Sequence, residues 1–444
     1  MQDYLKEYKD RTPSSAKLYT RAAQVMPGGV SHNPRYFPPY PLYIKKTEGS
    51  RIWDVDGNEY IDLWMGHYSH ILGHKPAVIT KVMPEIASLG THWGIVNEYQ
   101  IDFAEDLCRI VPSAEKVRFG VSGTEATMHA VRLARAHTGR NIILKVKGGW
   151  HGSNNDLSIA VHAPMDTPES AGLPPGLTEY TRTISFNDPD GTIAAIHKYK
   201  SDLAGVLIEA VGQYFIPPID GYLQAVQSEV KKAGGLFILD EVITGGRLSL
   251  RGAQGRYGLM PDLCTMGKVL GGGMNLGLVA GRKEILDLAS PTAGLPKGKG
   301  VLIGGGTFSC MIPSMIAGRA MLRHLEAHEK EIYPALERKG EKVRGGIEKA
   351  FHSRGIPARC MGAGSLFTTC FPPSNDVPMR NIEDVETKTD IIKREREFRL
   401  RMLNKGVYTM YGGGALSMAH TGEDMDRIIG AAEKVAKEMS GGKQ

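Results

Sequence analysis

Pro261-Asp-Leu-Cys-Thr-Met-Gly-Lys268-Val-Leu-Gly-Gly-Gly-Met-Asn-Leu-Gly-Leu-Val-Ala-Gly281 sets two strand-like runs on either side of a glycine turn. The apolar run Leu263–Met266 reads as a strand that delivers one lysine, Lys268, and Leu276–Ala280 reads as a second strand beyond Gly271–Gly273. Glycines beside a strand end let a bulky ligand approach the backbone closely. Desolvation lowers an amine's pKa, so a lysine held there can act as a nucleophile at neutral pH. A surface lysine in a flexible glycine loop fits the same letters, and the flanking chain has to choose between the two.

Upstream, Leu236–Leu239 is an apolar strand ending in Asp240-Glu241-Val242, and Leu203–Ile208 is another ending in Glu209. An amphipathic helix from about 220 to 233 and the turn Gly234-Gly235 separate them. Apolar strands alternating with helices predict a mostly parallel sheet covered on both faces. Ligands of such sheets bind at the carboxyl ends of the strands, where Glu209, Asp240 and Lys268 all fall. Lys116–Val121 is a further strand, and Ser122-Gly123-Thr124 leads from it into a helix that runs to about His137. Free amides, hydroxyls and a helix dipole meet there, which suits a phosphate, although an ordinary helix cap reads the same way. The strand Asn141–Val146 ends in Gly148-Gly149-Trp150-His151-Gly152, where a ring on a turn can stack on a flat ligand or simply anchor the loop. Residues 160–180 predict a long excursion over a site or at a subunit contact.

Toward the N-terminus, a helix over 14–25 stops at Pro27-Gly28-Gly29, and Ser31–Pro41 is a stiff proline-aromatic loop carrying Arg35. An arginine so placed can hold a carboxylate in two-point contact, although most loop arginines are simply solvated. Arg51–Leu63 alternates around Asp56-Gly57 as a hairpin, and the loop that follows carries His67, His70 and His74. No carboxylate or cysteine accompanies these histidines, so polar loop residues are expected rather than a metal site. Toward the C-terminus, Gly304–Thr307 precedes a helix from about 313 to 326 and a charged one from about 330 to 351. Residues 356–444 read as a smaller α+β unit, in which the sign-alternating run Lys393–Arg401 predicts a solvated helix face.

A length of 444 residues predicts more than one domain. The 41% apolar and 23% charged residues are ordinary for a globular protein, and the net charge of +6 forms no dense basic block. Neither nucleic acid nor membrane is expected as a partner, since no apolar run is long enough to cross a bilayer. The charged first residues do not form a secretory signal, and the 5 scattered cysteines suit reduced thiols, so the cytoplasm is expected.

An amine nucleophile, a neighbouring carboxylate, a phosphate cradle and an aromatic ring together suit pyridoxal 5'-phosphate. Lys268 would hold its aldehyde as a Schiff base and Asp240 its ring nitrogen. Trp150 would cover one face and Val242 the other, with the phosphate at Ser122, Gly123 and Thr124, and His151 and Glu209 complete the cofactor-binding set.

From about Gly28 to about Thr421 the chain resembles the class III aminotransferases of the type I pyridoxal-phosphate-dependent transferase fold, and among them the glutamate-1-semialdehyde aminomutase branch. Ser-Gly-Thr-Glu-Ala-Thr-Met at 122–128, Asp-Glu-Val-Ile-Thr-Gly at 240–245 and Gly-Lys-Val-Leu-Gly-Gly-Gly at 267–273 carry the resemblance. It implies an α/β fold, with a large mostly parallel-sheet domain over 71–325. A smaller α+β domain over 326–444 would pack with the N-terminal segment 1–70. It further implies a homodimer in which Thr307, with Gly306, reaches the phosphate of the neighbouring subunit's cofactor, and a substrate carboxylate bound by Arg35.

Three positions depart from the aminomutase pattern. His67 stands where the aminomutase lines its pocket with tryptophan, Trp150 stands in place of a tyrosine, and Gly412 falls near an acidic position. With the cofactor set kept and the pocket altered, the expected activity is ping-pong transamination between a carboxylate-bearing amino acid, of β-amino or aromatic type, and a 2-oxo acid. The alternatives are the aminomutase itself, an amino-acid racemase on the same fold and, from another class, a non-catalytic binding protein.

Overall fold

The computed structural model describes residues 3–174, 176–304 and 306–441. Gly305, inside the glycine run before Thr307, and Pro175, inside the excursion, therefore lie outside the described residues. The chain divides into two units. Met1–Pro76, Pro334–Pro378 and Val385–Gln444 form one, and Ala77–Tyr333 with Met379–Asp384 forms the other.

In the first unit, β1 (Ile44–Glu48), β2 (Arg51–Asp54) and β3 (Glu59–Asp62) form an antiparallel ladder. Asp54 builds the turn between β2 and β3, its Oδ1 accepting from the Asp56 and Asn58 amides at 3.0 and 2.8 Å. Gly57 completes that turn at φ +89°, where a side chain would be strained.

The second unit holds a seven-stranded sheet among the described residues. In chain order its strands are β4 (Lys116–Gly120), β5 (Ile142–Val146), β6 (Thr181–Ile184), β7 (Leu203–Glu209), β8 (Leu236–Glu241), β9 (Leu263–Gly267) and β10 (Gly277–Gly281). In space they run β4-β10-β9-β8-β7-β5-β6. From β6 to β9 the ladder is parallel, and β10 runs antiparallel to both its neighbours. The reversal follows from the short link after Lys268, since a parallel return needs a crossover of a dozen residues or more.

Helix Gly123–Thr138 lays Ala130, Val131, Leu133 and Ala134 on Ile143, Leu207, Ile238, Leu263 and Val279 of the sheet, all buried. Each large side chain so buried contributes about 1.5–3 kcal/mol. The helix begins where it does because Ser122 Oγ accepts from the Glu125 amide at 3.3 Å and Glu125 Oε2 accepts from the Val121 amide at 2.8 Å. One donor sits in the first turn and the other just before the cap, so two polar side chains fix the helix head against the end of β4.

The rest of the first unit adds β11 (Arg359–Ala363), β12 (Leu366–Cys370), β13 (Val407–Tyr408) and β14 (Gly413–Ala415). β13 pairs in parallel with β3, so the two ends of the chain share one sheet, while β11, β12 and β14 form another. The solvated face expected over 393–401 is corrected here: Arg394, Phe398 and Arg399 are buried. A widened π-helical turn over Lys393–Phe398 rotates them inward. Arg394 Nε meets Glu395 at 2.7 Å, and Arg399 lies 4.1 Å from the Phe37 ring centre. Charge alternation alone does not show such a local change of pitch.

Two alanine substitutions are expected to move stability in opposite directions. A Cβ on Gly277 would lie 1.9 Å from the Ser122 carbonyl oxygen, so Gly277→Ala should destabilise by about 1–3 kcal/mol through overpacking. Gly345, in helix Glu329–His352, has open space around it, and Gly345→Ala should stabilise by about 0.5–1 kcal/mol. Denaturant unfolding of both variants against the parent checks the pair.

Candidate active site

Three strand ends meet in register: Glu209 of β7 pairs with Asp240 of β8, and Asp240 with Thr265 of β9. The pleat turns Asp240 and Glu241 to opposite faces of the sheet. Glu241 is a structural anchor, accepting from Thr244 Oγ1 at 2.9 Å and from the Gln254 amide and Nε2 at 3.1 and 3.0 Å. Asp240 faces the other way. Its Oδ1 accepts from Thr265 Oγ1 at 2.8 Å and from the Val242 amide at 3.0 Å, and its Oδ2 lies 2.7 Å from His151 Nδ1.

Burial alone would raise the pKa of Asp240. The hydrogen bonds around it, that from His151 first, outweigh burial and hold it below the ordinary 3.8. Burial lowers the pKa of His151 below 6.5, with Asp240 opposing in part, so the ring is neutral. An ionised Asp240 needs a donor, which places the imidazole proton on Nδ1. His151 Nε2 is then a buried acceptor with no hydrogen-bond partner among the described residues.

Lys268 is the first residue beyond β9 and takes φ +43°, a strained conformation for a residue other than glycine. It is partly exposed, yet desolvation pushes its pKa below 10.5, opposed first by the charge of Asp240. The carboxyl of Glu209 is displaced the other way, well above the usual carboxylate range, by burial and then by Asp240.

The Ser122 turn closes on the same place. A Cβ on Gly123 would meet Val242 Cγ1 at 2.9 Å, so the helix head and Val242 are in contact. The amides of Gly123 and Thr124 precede the first intrahelical bonds and are free to bind an anion. Thr124 Oγ1 accepts from the Ser153 amide at 3.2 Å, and Thr127 Oγ1 donates to the His151 carbonyl at 2.7 Å. These bonds tie the loop with Trp150 and His151 to the helix. Trp150 remains 44% exposed.

Ser122, Gly123, Thr124, Trp150, His151, Glu209, Asp240, Val242 and Lys268 are thus brought to one place. Thr307 is exposed on a segment where a Cβ on Gly306 would lie 3.5 Å from Glu125 Oε1. Arg35 and His67 belong to the first unit. Arg35 is exposed on the turn Asn33–Arg35. His67, at φ +57°, lies edge-on to Trp64 with ring centres 4.2 Å apart and 5.0 Å from His32. Two contributors escaped the sequence reading, Thr265 and Lys145. Their signal is a polar residue inside an otherwise apolar strand.

A buried ionised aspartate, a lysine of lowered pKa, a helix head with free amides and an exposed indole fit a flat, phosphorylated pyridine aldehyde. The family model for class III aminotransferases matches residues 33–421, and the chain belongs to that family. It is a pyridoxal-phosphate-dependent enzyme. The chain is 37% identical to glutamate-1-semialdehyde 2,1-aminomutase 2 of Exiguobacterium sp. over 96% of this chain and 97% of that one. A solved transaminase with pyridoxal phosphate bound is similar at 32% identity and a TM-score of 0.85, covering 97% of this chain and 98% of that one. The β-phenylalanine aminotransferase of Variovorax paradoxus is similar at 29% identity and a TM-score of 0.84, covering 97% and 95%.

Thr265→Val removes one donor from Asp240 at nearly constant volume and is expected to cost about 1–3 kcal/mol at neutral pH. Because the folded pKa of Asp240 lies below 3.8, its contribution is fully present above 3.8 and is lost as pH falls through the folded value. In the variant the folded pKa moves up, so that contribution shrinks. Urea unfolding of parent and variant at pH 7 and at pH 3 should show a smaller acid loss in the variant.

Proposed function

We propose that the chain moves an amino group on a small carboxylate-bearing substrate, with pyridoxal phosphate held between Lys268, Asp240 and the Ser122 turn. The observation that carries this reading is Asp240, a buried carboxylate kept ionised by three donors beside a lysine of lowered pKa. Asp240 would hold the ring nitrogen, with His151 fixing its orientation from behind. Trp150 and Val242 would cover the two ring faces, Ser122, Gly123 and Thr124 would hold the phosphate, and Glu209 would line the edge. When bound, the cofactor supplies an electron sink for the carbon that carries the substrate's amino group. Lys268 Nζ, unprotonated more readily than an ordinary lysine, takes the proton from that carbon and returns it at a second position. Arg35, for the substrate carboxylate, and His67 are kept in the proposal as substrate-binding residues.

Of the possible reactions, the names of the curated relatives favour exchange within one molecule, that of glutamate-1-semialdehyde 2,1-aminomutase. This differs from the transfer between molecules expected from the sequence. The second reading, transamination of a β-amino or aromatic amino acid with a 2-oxo acid, is supported by Gly412. That residue has φ +78°, and a Cβ there would lie 2.5 Å from the Thr369 carbonyl oxygen, leaving an acidic side chain no unstrained place. His67 in place of tryptophan and the two solved transaminases point the same way.

A homodimer belongs to the proposal. His92 packs on Phe308 with ring centres 5.3 Å apart, and Ile95, Val96, Leu302 and Phe308 are all exposed, apolar surface of the kind a subunit contact covers. A second copy covering it would bring its Gly306 and Thr307 toward the phosphate site.

Purified protein supplied with pyridoxal phosphate is expected to convert glutamate-1-semialdehyde to 5-aminolevulinate, with no labelled nitrogen passing to an added 2-oxo acid. Label found in that acid selects the second reading, and a protein that takes up no cofactor sinks both. Lys268→Ala is expected to lower the rate by roughly 10²–10⁴-fold or more.

A further inference from the structure

Lys145 is a buried charge for which the reaction has no use. It lies in β5 with none of its surface exposed. Its Nζ donates to the carbonyl oxygens of Gly149 at 2.9 Å, Leu157 at 3.2 Å and Ile159 at 2.7 Å. An ammonium has three protons and no acceptor, so its whole donor capacity is spent on this loop. The acceptors come from both ends of residues 147–160, the segment that leaves β5 and carries Trp150 and His151.

We infer that Lys145 is a positioning residue whose ammonium ties both ends of the 147–160 loop to the sheet and holds Trp150 and His151 in place before the cofactor arrives. The inference rests on the cofactor reading above. Thr124, Thr127 and Asp240 hold the middle of the loop at Ser153 and His151, while Lys145 gathers its two ends. Trp150, Ser153 and Asn155 are exposed, and Leu157 joins the apolar core. Carbonyls that turn inward need donors, and a lysine rising from the strand beneath supplies three at one point. The arrangement carries a cost: burial pushes the pKa of Lys145 down to about 8, with Glu209 and Glu169 opposing. A loop set in advance spares the cofactor the ordering it would otherwise impose on binding.

Lys145→Met keeps the length and the apolar stem and removes the donors. In the full chain, the variant is expected to bind pyridoxal phosphate roughly tenfold more weakly or worse, read by quenching of tryptophan fluorescence. Amide hydrogen exchange over 149–159 should speed up in the variant apoprotein while the 203–208 strand stays as in the parent. A variant that melts lower but keeps the parent's affinity and loop exchange shows a lysine that only stabilises, and overturns the inference. If the variant does not fold, the parent apoprotein decides. The amides of Gly148, Gly149 and Leu157, bonded at 2.7, 3.1 and 3.0 Å, should be protected, and free exchange there overturns the inference. A parent that binds no pyridoxal phosphate overturns the cofactor reading instead, and the exchange measurement still judges the loop.

Discussion

The carboxylate of Asp240 is the constraint to which the rest of the second unit answers. A buried negative charge is tolerable only when its lone pairs are filled. Here the fillers come from three directions: Thr265 on the neighbouring strand, the Val242 amide just beyond, and His151 from a loop across the sheet. Each ties a separate element to one atom pair. β9 must hold its register with β8 to present Thr265. The loop after β5 must stay folded to present His151. The chain after Asp240 must turn at once to present the Val242 amide.

The electrostatics then divide the site. Asp240 is held ionised by hydrogen bonds, Glu209 in the next strand is driven toward its neutral form, and Lys268 is made a weaker base than a lysine in water. Neighbouring groups pushed in opposite directions suit proton transfer near neutral pH. Had Glu209 and Asp240 both been ionised, their repulsion in a buried place would have to be met by a fully charged Lys268, which would leave no base.

Much of this was legible because strands announce their ends. Apolar runs ending in Glu209, Asp240 and a glycine before Lys268 set a parallel sheet and a common edge, and the Ser-Gly-Thr turn marked a helix head. What the letters could not show was which way the strand after Lys268 ran, or that Thr265 and Lys145 faced inward to polar partners. Those facts depend on pairing and on atoms far away in sequence. The solvated face expected over 393–401 failed for a related reason: a single widened turn changes which residues face the core, and charge alternation carries no trace of it. For Arg35, His67 and Gly412, to which the proposal gives substrate choice, residue types name chemical capacity and leave the occupant open.

The register of β9 and β10 bears on how such a site can diversify. Gly267 and Gly277 face each other across the ladder, so the segment between them is a closed loop whose two feet are fixed. Lys268 is its first residue, set on the rigid foot, and Gly271–Gly273 lie further along. A residue gained or lost among those glycines can be absorbed in the loop, whereas one gained before Lys268 would swing the amine to the other side of the sheet. Position and length are thereby assigned to different parts of one short segment: the strand sets where the lysine stands, and the loop takes up changes in length.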